Sequence, residues 1–393
     1  MLTSLRITGF RSFSSLSLEE LTYVNLLVGE NNVGKTSILE AIELLLERTQ
    51  PLVLTRGPLR RGESTPPFQL DERRKESIDL RHLFHGREAS PGCEFVLQAQ
   101  SSGGSPLSMS ATVQAHEREH TEPSVSGQAV KSQLGIAVQT EAVAPTEEHG
   151  ESLRDAMMAR MRREMARASM HDPANYVAGD HLHLEIPVDP HRFPGRSDPR
   201  EAESKPVFLP FAGTTEAHLG VLGFLWDRIV LSPEENRVIE ALRIIQPDIE
   251  RIASFSSLGR SPGGIFMKLR DSDRRIPLGS MGEGVKRLFV LAMNLVTSAG
   301  GSLLIDEIDT GLHYSVMVKV WKFVVETARR LNIQVFATAH SLDCIQALAG
   351  FYESEKVFRE DITIHRIERG AKTSIRYSAD EILSVAQRKV ETR

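Results

Sequence analysis

The run Gly29-Glu30-Asn31-Asn32-Val33-Gly34-Lys35-Thr36 constrains this chain more than any other feature. It reads G-x-x-x-x-G-K-T. An apolar segment, Val24 to Val28, precedes it, and Ile38, Leu39, Ile42, Leu45 and Leu46 follow at helical spacing. Strand, glycine-rich loop and helix in that order form a cradle for phosphate. The glycines let backbone N–H groups point inward, and the helix N-terminus adds partial positive charge. Lys35 reaches the terminal phosphates of a nucleotide, and Thr36 is placed to hold Mg2+. The phosphate-facing surface is expected to run from Gly29 through Ser37.

Two later segments repeat a related pattern. Ser302-Leu303-Leu304-Ile305-Asp306-Glu307 is a buried-strand run ending in two acids. Ligands of open α/β sheets bind at the carboxyl ends of such strands. Asp306 there suits the Mg2+ shell, and Glu307 suits polarising an attacking water. Gln334 to Ala339 is a second buried run, and it delivers His340 to contact the terminal phosphate. Ser280-Met281-Gly282-Glu283-Gly284 opens a helix over Gly282 to Ala299, which makes a second anion-binding terminus. One nucleotide has little use for two such termini. If the second faces the phosphates of a neighbouring subunit, the site is shared.

With these segments in order, a resemblance emerges. Gly29 to Thr36 resembles Walker A, and Ser280-x-Gly282-x-Gly284 resembles a degenerate ABC signature. Leu303 to Glu307 resembles Walker B with its catalytic Glu, Asp309 to His313 the D-loop region, and His340 the switch histidine. The set is similar to the ABC-class ATPase heads of the SMC, RecF and OLD group, above all to bacterial AAA-type, OLD-like ATPases including those of anti-phage systems. Ile7 to Phe13 resembles the N-terminal strand of that group, where Arg11 matches a basic residue near the nucleotide. The likeness covers about residues 1–50 and 260–370.

The resemblance implies an α/β fold of the P-loop NTPase, ABC-type kind: a mainly parallel core sheet, an antiparallel β-meander and a helical insertion. The expected division is an N-terminal lobe over 1–150, an insertion over 151–255 and a C-terminal lobe over 256–393. The implied activity is ATP hydrolysis with Mg2+ in a molecular switch. Its expected setting is a cytoplasmic homodimer or higher oligomer that works with a separate effector protein, such as a nuclease, in anti-phage defence. A RecF-like DNA-repair clamp is the alternative. No heptad segment long enough for a coiled-coil arm exists. About fifty residues follow His340, too few for a TOPRIM nuclease. The Q-loop glutamine has only Gln98 and Gln100 as candidates.

The rest of the chain carries less. Short alternating runs at Phe95 to Gln100, Leu107 to Val113 and Leu134 to Gln139 predict the meander. Pro51 to Pro67 and Asp189 to Pro210 read as connectors, Ser152 to Ser169 as a basic helix, and Glu216 to Ile229 and Pro233 to Ile245 as amphipathic helices. His116-Glu117-Arg118-Glu119-His120 matches H-E-x-x-H without the helix a zinc site needs, and reads as a solvated turn. His181, His183 and Glu185 have strand spacing and read as a polar strand face. The arginines of 56–87 and 154–167 are the candidate DNA contacts. With 47 basic and 52 acidic side chains the net charge is -5, so any nucleic-acid contact has to be local. Cys93 and Cys344 form no zinc pattern. No apolar run reaches the roughly 18 residues of a membrane helix, and Met1 to Arg11 lacks the apolar core of a signal peptide.

Overall fold

The computed structural model describes residues 1–48, 50, 53–65, 75–104, 106–118, 131–141, 183–187, 207–210, 216–255 and 264–388. The chain begins with strands β1 (Leu2–Phe10), β2 (Phe13–Leu18) and β3 (Val24–Val28), then helices α1 (Lys35–Leu46) and α2 (Val53–Arg60). Strands β4 (Ser64–Thr65), β5 (Lys75–Asp79), β6 (Glu94–Ser101), β7 (Pro106–Arg118), β8 (Lys131–Glu141), β9 (His183–Pro187) and β10 (Val207–Pro210) follow. Next come α3 (Glu216–Ile229), α4 (Pro233–Leu242), β11 (Ile249–Phe255), β12 (Gly264–Leu269), β13 (Arg275–Pro277) and α5 (Glu283–Thr297). The last third alternates: β14 (Ser302–Asp306), α6 (Tyr314–Arg330), β15 (Gln334–Thr338), α7 (Leu342–Ser354), β16 (Ile362–Arg366), β17 (Ile375–Tyr377) and α8 (Ala379–Arg388).

The core sheet has the order β10-β14-β15-β3-β16-β17, parallel except at β17. Its central strands are nearly continuous apolar runs because both faces are covered. β3 comes from the start of the chain, yet it pairs on both sides with strands from the end, Val24 lying opposite Val335 and Ile362. Alternate residues of the sheet feed two cores. Val24, Leu26, Val28, Leu303, Ile305 and Val335 pack under α3 to α7. Leu27, Leu304 and Phe336 meet α1, which is sandwiched against a second, antiparallel sheet of order β2-β1-β6-β7-β8. Two three-stranded sheets, β4-β5-β9 and β11-β12-β13, flank these two, and the fold is the α/β architecture with a mainly parallel core sheet and an antiparallel meander that the resemblance implies.

Buried polar groups tie the amino ends of the core strands together. Gln334 is 2% exposed; its amide donates to the carbonyls of Leu2 (2.7 Å) and Thr22 (3.0 Å) and accepts from the Leu2 N–H at 2.7 Å. Asn25 accepts from the Thr22 N–H and donates back to the Thr22 carbonyl, both at 2.8 Å. These bonds satisfy backbone groups that burial would otherwise orphan.

Two connector expectations are corrected. Val53–Arg60, within the expected loop Pro51 to Pro67, is helical despite Pro58. Tertiary pairing overrides the local signal, since its arginines meet a row of glutamates on α1, described below. Val207–Pro210, within the expected connector Asp189 to Pro210, is the edge strand of the core sheet, with Pro210 opposite Asp306. Proline is tolerated at an edge. The basic helix expected over Ser152 to Ser169, with its arginines, lies outside the described residues, as do His181, Glu119 and His120. His116, Glu117 and Arg118 lie on β7, paired with β8 rather than in a turn.

His365, in the middle of β16, is fully buried; its Nδ1 lies 3.1 Å from the Ser374 hydroxyl and its Nε2 has no partner. Burial, with the Arg376 cation nearby, pushes its imidazole from the ordinary 6.5 down to about 4. The unfolded chain binds this proton at higher pH than the folded one. Stability is therefore lost as pH falls from 6.5 towards about 4, by roughly 3 kcal/mol over the whole span. Urea titrations across that range should show this slope, and His365→Gln should flatten it.

Candidate functional site

The loop after β3 folds as its sequence demands. Gly29 has φ 144°, and a Cβ there would lie 2.4 Å from the Ile367 carbonyl oxygen. Gly34, at the start of α1, has φ 100°; a Cβ there would strike the Phe13 ring and the Ser12 hydroxyl, each at 2.5 Å. Only glycine fits such left-handed, close-packed positions. Lys35 opens the helix, and its Nζ donates to the carbonyls of Gly29 (2.7 Å) and Glu30 (2.8 Å). Burial lowers the Lys35 pKa from the ordinary lysine value, against the opposing pull of Asp306, Asp309 and Glu307.

The acids stand opposite. Thr36 Oγ1 donates to the Asp306 carboxylate at 3.0 and 3.1 Å, and Thr338 Oγ1 donates to it at 2.7 Å. Glu307 sits in the left-handed region, φ 57°, a conformation that a non-glycine residue holds only when its surroundings impose it. Its N–H donates to Thr338 Oγ1 at 2.7 Å, and Thr310 Oγ1 donates to its Oε2 at 3.1 Å. Asp309 accepts from the Ser341 N–H at 2.9 Å, and its other oxygen is 3.8 Å from His340 Nδ1. The His340 side chain is 43% exposed and free to meet a ligand.

These groups border a cavity of about 510 Å³. Of the residues expected from sequence, Asn31, Asn32, Gly34, Lys35, Thr36 and Ser37 line one side, and Asp306, Glu307 and His340 line another. Arg11 also borders it. Gly29, Glu30 and Val33 shape the loop without lining the cavity, and Val33 turns inward, 5% exposed. Ser280, Gly282 and Gly284 stand at the start of α5, outside this cavity, with Ser280 and Gly282 exposed. Gln98 and Gln100 are on the exposed side of β6 and touch no part of it.

The remaining wall was not expected. Ser12, Arg61, Glu63, His82, His85 and Arg87 also line the cavity. The 82–87 segment is docked on the β1–β2 turn: the Arg11 N–H donates to the Leu83 carbonyl at 2.9 Å, and His85 Nδ1 is 3.0 Å from the Arg11 carbonyl oxygen. Two histidines within a basic stretch were the only sequence signal, and nothing local links that stretch to the phosphate loop.

Arg11, expected near the nucleotide, is held by carboxylates. It lies beside the cavity, but its side chain is 7% exposed and bound to Glu40 at 2.5 Å and Glu63 at 3.0 Å. Its charge is engaged by carboxylates. The same holds for four arginines of the stretch that offers candidate DNA contacts. Arg56 pairs with Glu47 at 2.6 Å, Arg60 with Glu43, Arg61 with Glu40 at 2.8 Å and Arg81 with Asp79 at 2.6 Å.

A hydroxyl and a carboxylate 3.0 Å apart, beside a lysine, are hard oxygen donors of the kind Mg2+ takes when substrate phosphates and water complete its shell. Among the described residues no group of three His, Cys, Asp or Glu side chains forms a separate metal cage. Thr36 and Asp306 therefore fit Mg2+ held jointly with a nucleotide.

Arg11→Ala would leave Glu40, 3% exposed at its side chain, with Arg61 as its remaining cation. The expected result is a loss of about 3 kcal/mol in urea denaturation. Unchanged stability with weakened ATP binding would assign the Arg11 charge to the nucleotide instead.

Comparison with known proteins bears on both ends of the chain. Residues 1–98 match the family model described as "AAA ATPase domain". Residues 221–343 match that described as "AAA domain, putative AbiEii toxin, Type IV TA system". An ATP/GTP phosphatase of Helicobacter pylori is 21% identical over 393 residues, spanning 93% of this chain and 90% of that protein. An uncharacterized protein of Methanocaldococcus jannaschii is 34% identical over 68 residues, 17% of this chain and 60% of that one. Among solved structures, an SMC head bound to the C-winged helix domain of ScpA has a TM-score of 0.49 at 12% identity, covering 98% of this chain and 99% of that one. The SMC head domain of Thermotoga maritima has a TM-score of 0.40 at 12% identity, covering 96% and 98%. Among the described residues no helix is long and apolar enough to cross a membrane. Matches to an AAA ATPase domain and to an AAA domain thus lie in the two halves of the chain, and the two halves meet in one sheet around one cavity: the chain is a P-loop ATPase, and it hydrolyses ATP.

Proposed function

We propose that the chain is an ATP-driven switch whose hydrolytic site is completed by a second copy. One observation carries this reading: Ser280 and Gly282 are exposed at a helix start, outside the cavity lined by the phosphate loop of the same chain. In this reading the backbone of Gly29 to Ser37 and the Lys35 ammonium bind the phosphates of ATP. Thr36 and Asp306 hold Mg2+, which when bound offsets negative charge on the phosphate oxygens. Glu307 orients the water whose oxygen attacks the terminal phosphorus, releasing ADP and phosphate, and His340 contacts that terminal phosphate. Ser280, Gly282 and Gly284 of the partner close the site. The base and ribose extend towards His82, His85 and Arg87.

The division into 1–150, 151–255 and 256–393 belongs to this proposal. The end of the middle part is woven into the third: β10 pairs with β14, and β11 with β12. ATP would act as interfacial glue in a homodimer or higher oligomer in the cytoplasm, with hydrolysis opening the interface. We place the protein with the OLD-like ATPases as a sensor that holds or releases a separate effector, such as a nuclease, in anti-phage defence. The family named for a type IV toxin–antitoxin system supports that setting. The RecF-like clamp is the weaker reading, because Arg56, Arg60, Arg61 and Arg81 are already paired with carboxylates. DNA binding that falls steeply with salt would favour it.

The direct test is Glu307→Gln. Turnover should drop by about 100-fold or more while ATP still binds. Wild-type turnover would remove Glu307 from the mechanism.

A further inference from the structure

We propose that Arg287 is a positioning residue that couples the start of α5 to the Glu307 carboxylate of the same subunit. The inference rests on the reading of Glu307 as the water-orienting group and of the α5 start as the face offered to a second copy. Arg287 lies one turn into α5, four residues beyond Glu283. Its Nε donates to Glu283 Oε1 at 2.9 Å, and its Nη1 reaches across to the Thr310 carbonyl oxygen at 2.9 Å. Lys286 holds the other Glu283 oxygen at 2.9 Å. Lys286 first, then Arg287, keeps the Glu283 carboxyl below the usual carboxylate range.

The receiving turn is built around this side chain. Gly311 has φ 73°, and a Cβ there would lie 2.5 Å from Arg287 Nε and 2.6 Å from its Cδ. The turn therefore needs a glycine both for its backbone and for room to seat the guanidinium. Thr310 then passes the contact on. Its N–H donates to the Glu307 carbonyl at 3.0 Å, and its hydroxyl to Glu307 Oε2 at 3.1 Å. The left-handed backbone of Glu307 is held by this turn on one side and by Thr338 on the other.

The route Glu283–Arg287–Thr310–Glu307 is thus continuous and direct. Ser280 and Gly282, at its outer end, touch nothing in the cavity of their own chain. A nucleotide held by a second copy would press on them and shift the helix start, and Arg287 would carry that shift to Glu307. Each subunit would then hydrolyse its own ATP in response to engaging its partner's. Coupling between sites requires an element with two positions that both sites bias, and the α5 start with Arg287 takes that role in this proposal.

The test compares full-length Arg287→Ala, Thr310→Val and Thr310→Ser with the wild type, using calorimetric ATP affinity and steady-state turnover. Arg287→Ala and Thr310→Val should each lower kcat about tenfold with ATP affinity within twofold of wild type. The double variant should be no worse than either single one, because both break the same route. Thr310→Ser keeps the hydroxyl and should retain turnover. Wild-type kcat in Arg287→Ala, in a preparation where Glu307→Gln has lost turnover, would overturn the coupling and leave the Glu307 reading intact. Wild-type turnover in Glu307→Gln would instead overturn the reading on which the coupling rests.

Discussion

The hydrogen bond from Thr36 to Asp306 spans 270 residues of sequence, and the rest of the site depends on it being possible. It exists because β3, from the first thirty residues or so, is inserted between β15 and β16. Parallel pairing sends the carboxyl ends of β3, β14 and β15 to the same edge of the sheet. There the phosphate loop, the two acids and His340 face one another across a single cavity. Without that insertion the chain would carry a phosphate loop at one end and unmatched acids at the other.

A second constraint lies in α1. Glu40, Glu43 and Glu47 recur along one stripe of the helix that carries Lys35, and all are nearly fully buried. Buried carboxylates are tolerable only when paired. Arg56 and Arg60 from α2, Arg61 just beyond it and Arg11 from the β1–β2 turn supply the partners. The arginines of a stretch that looks like a nucleic-acid footprint are instead what fixes the helix behind the phosphate loop. Arg11 and Arg61 also border the cavity, so this ion-pair layer forms part of the nucleotide's wall.

Much of the core was legible because its signals are local. Val24–Val28, Ser302–Asp306 and Gln334–Thr338 are mostly apolar runs, and each delivers polar residues at its carboxyl end, where ligands of open α/β sheets bind. The helices between them carry clear apolar periodicity. What escaped the sequence depends on distant partners. Val53–Arg60 is helical because of glutamates on another helix, and Val207–Pro210 is a strand because Ser302–Asp306 offers an edge. His82 to Arg87 reach the cavity only because Leu83 and His85 bond to the backbone of Arg11. Gln98 and Gln100 were the glutamines at hand, but strand pairing turns both away from the site.

In the proposed function, the phosphate loop of one copy meets the outward-facing α5 start of another, and ATP is the link between the two. The most direct test of this link is the mass in solution of Glu307→Gln with saturating ATP, beside the same protein without nucleotide. A nucleotide-dependent rise to twice the monomer mass or more is the predicted result. A protein that binds ATP and stays monomeric would contradict the shared site.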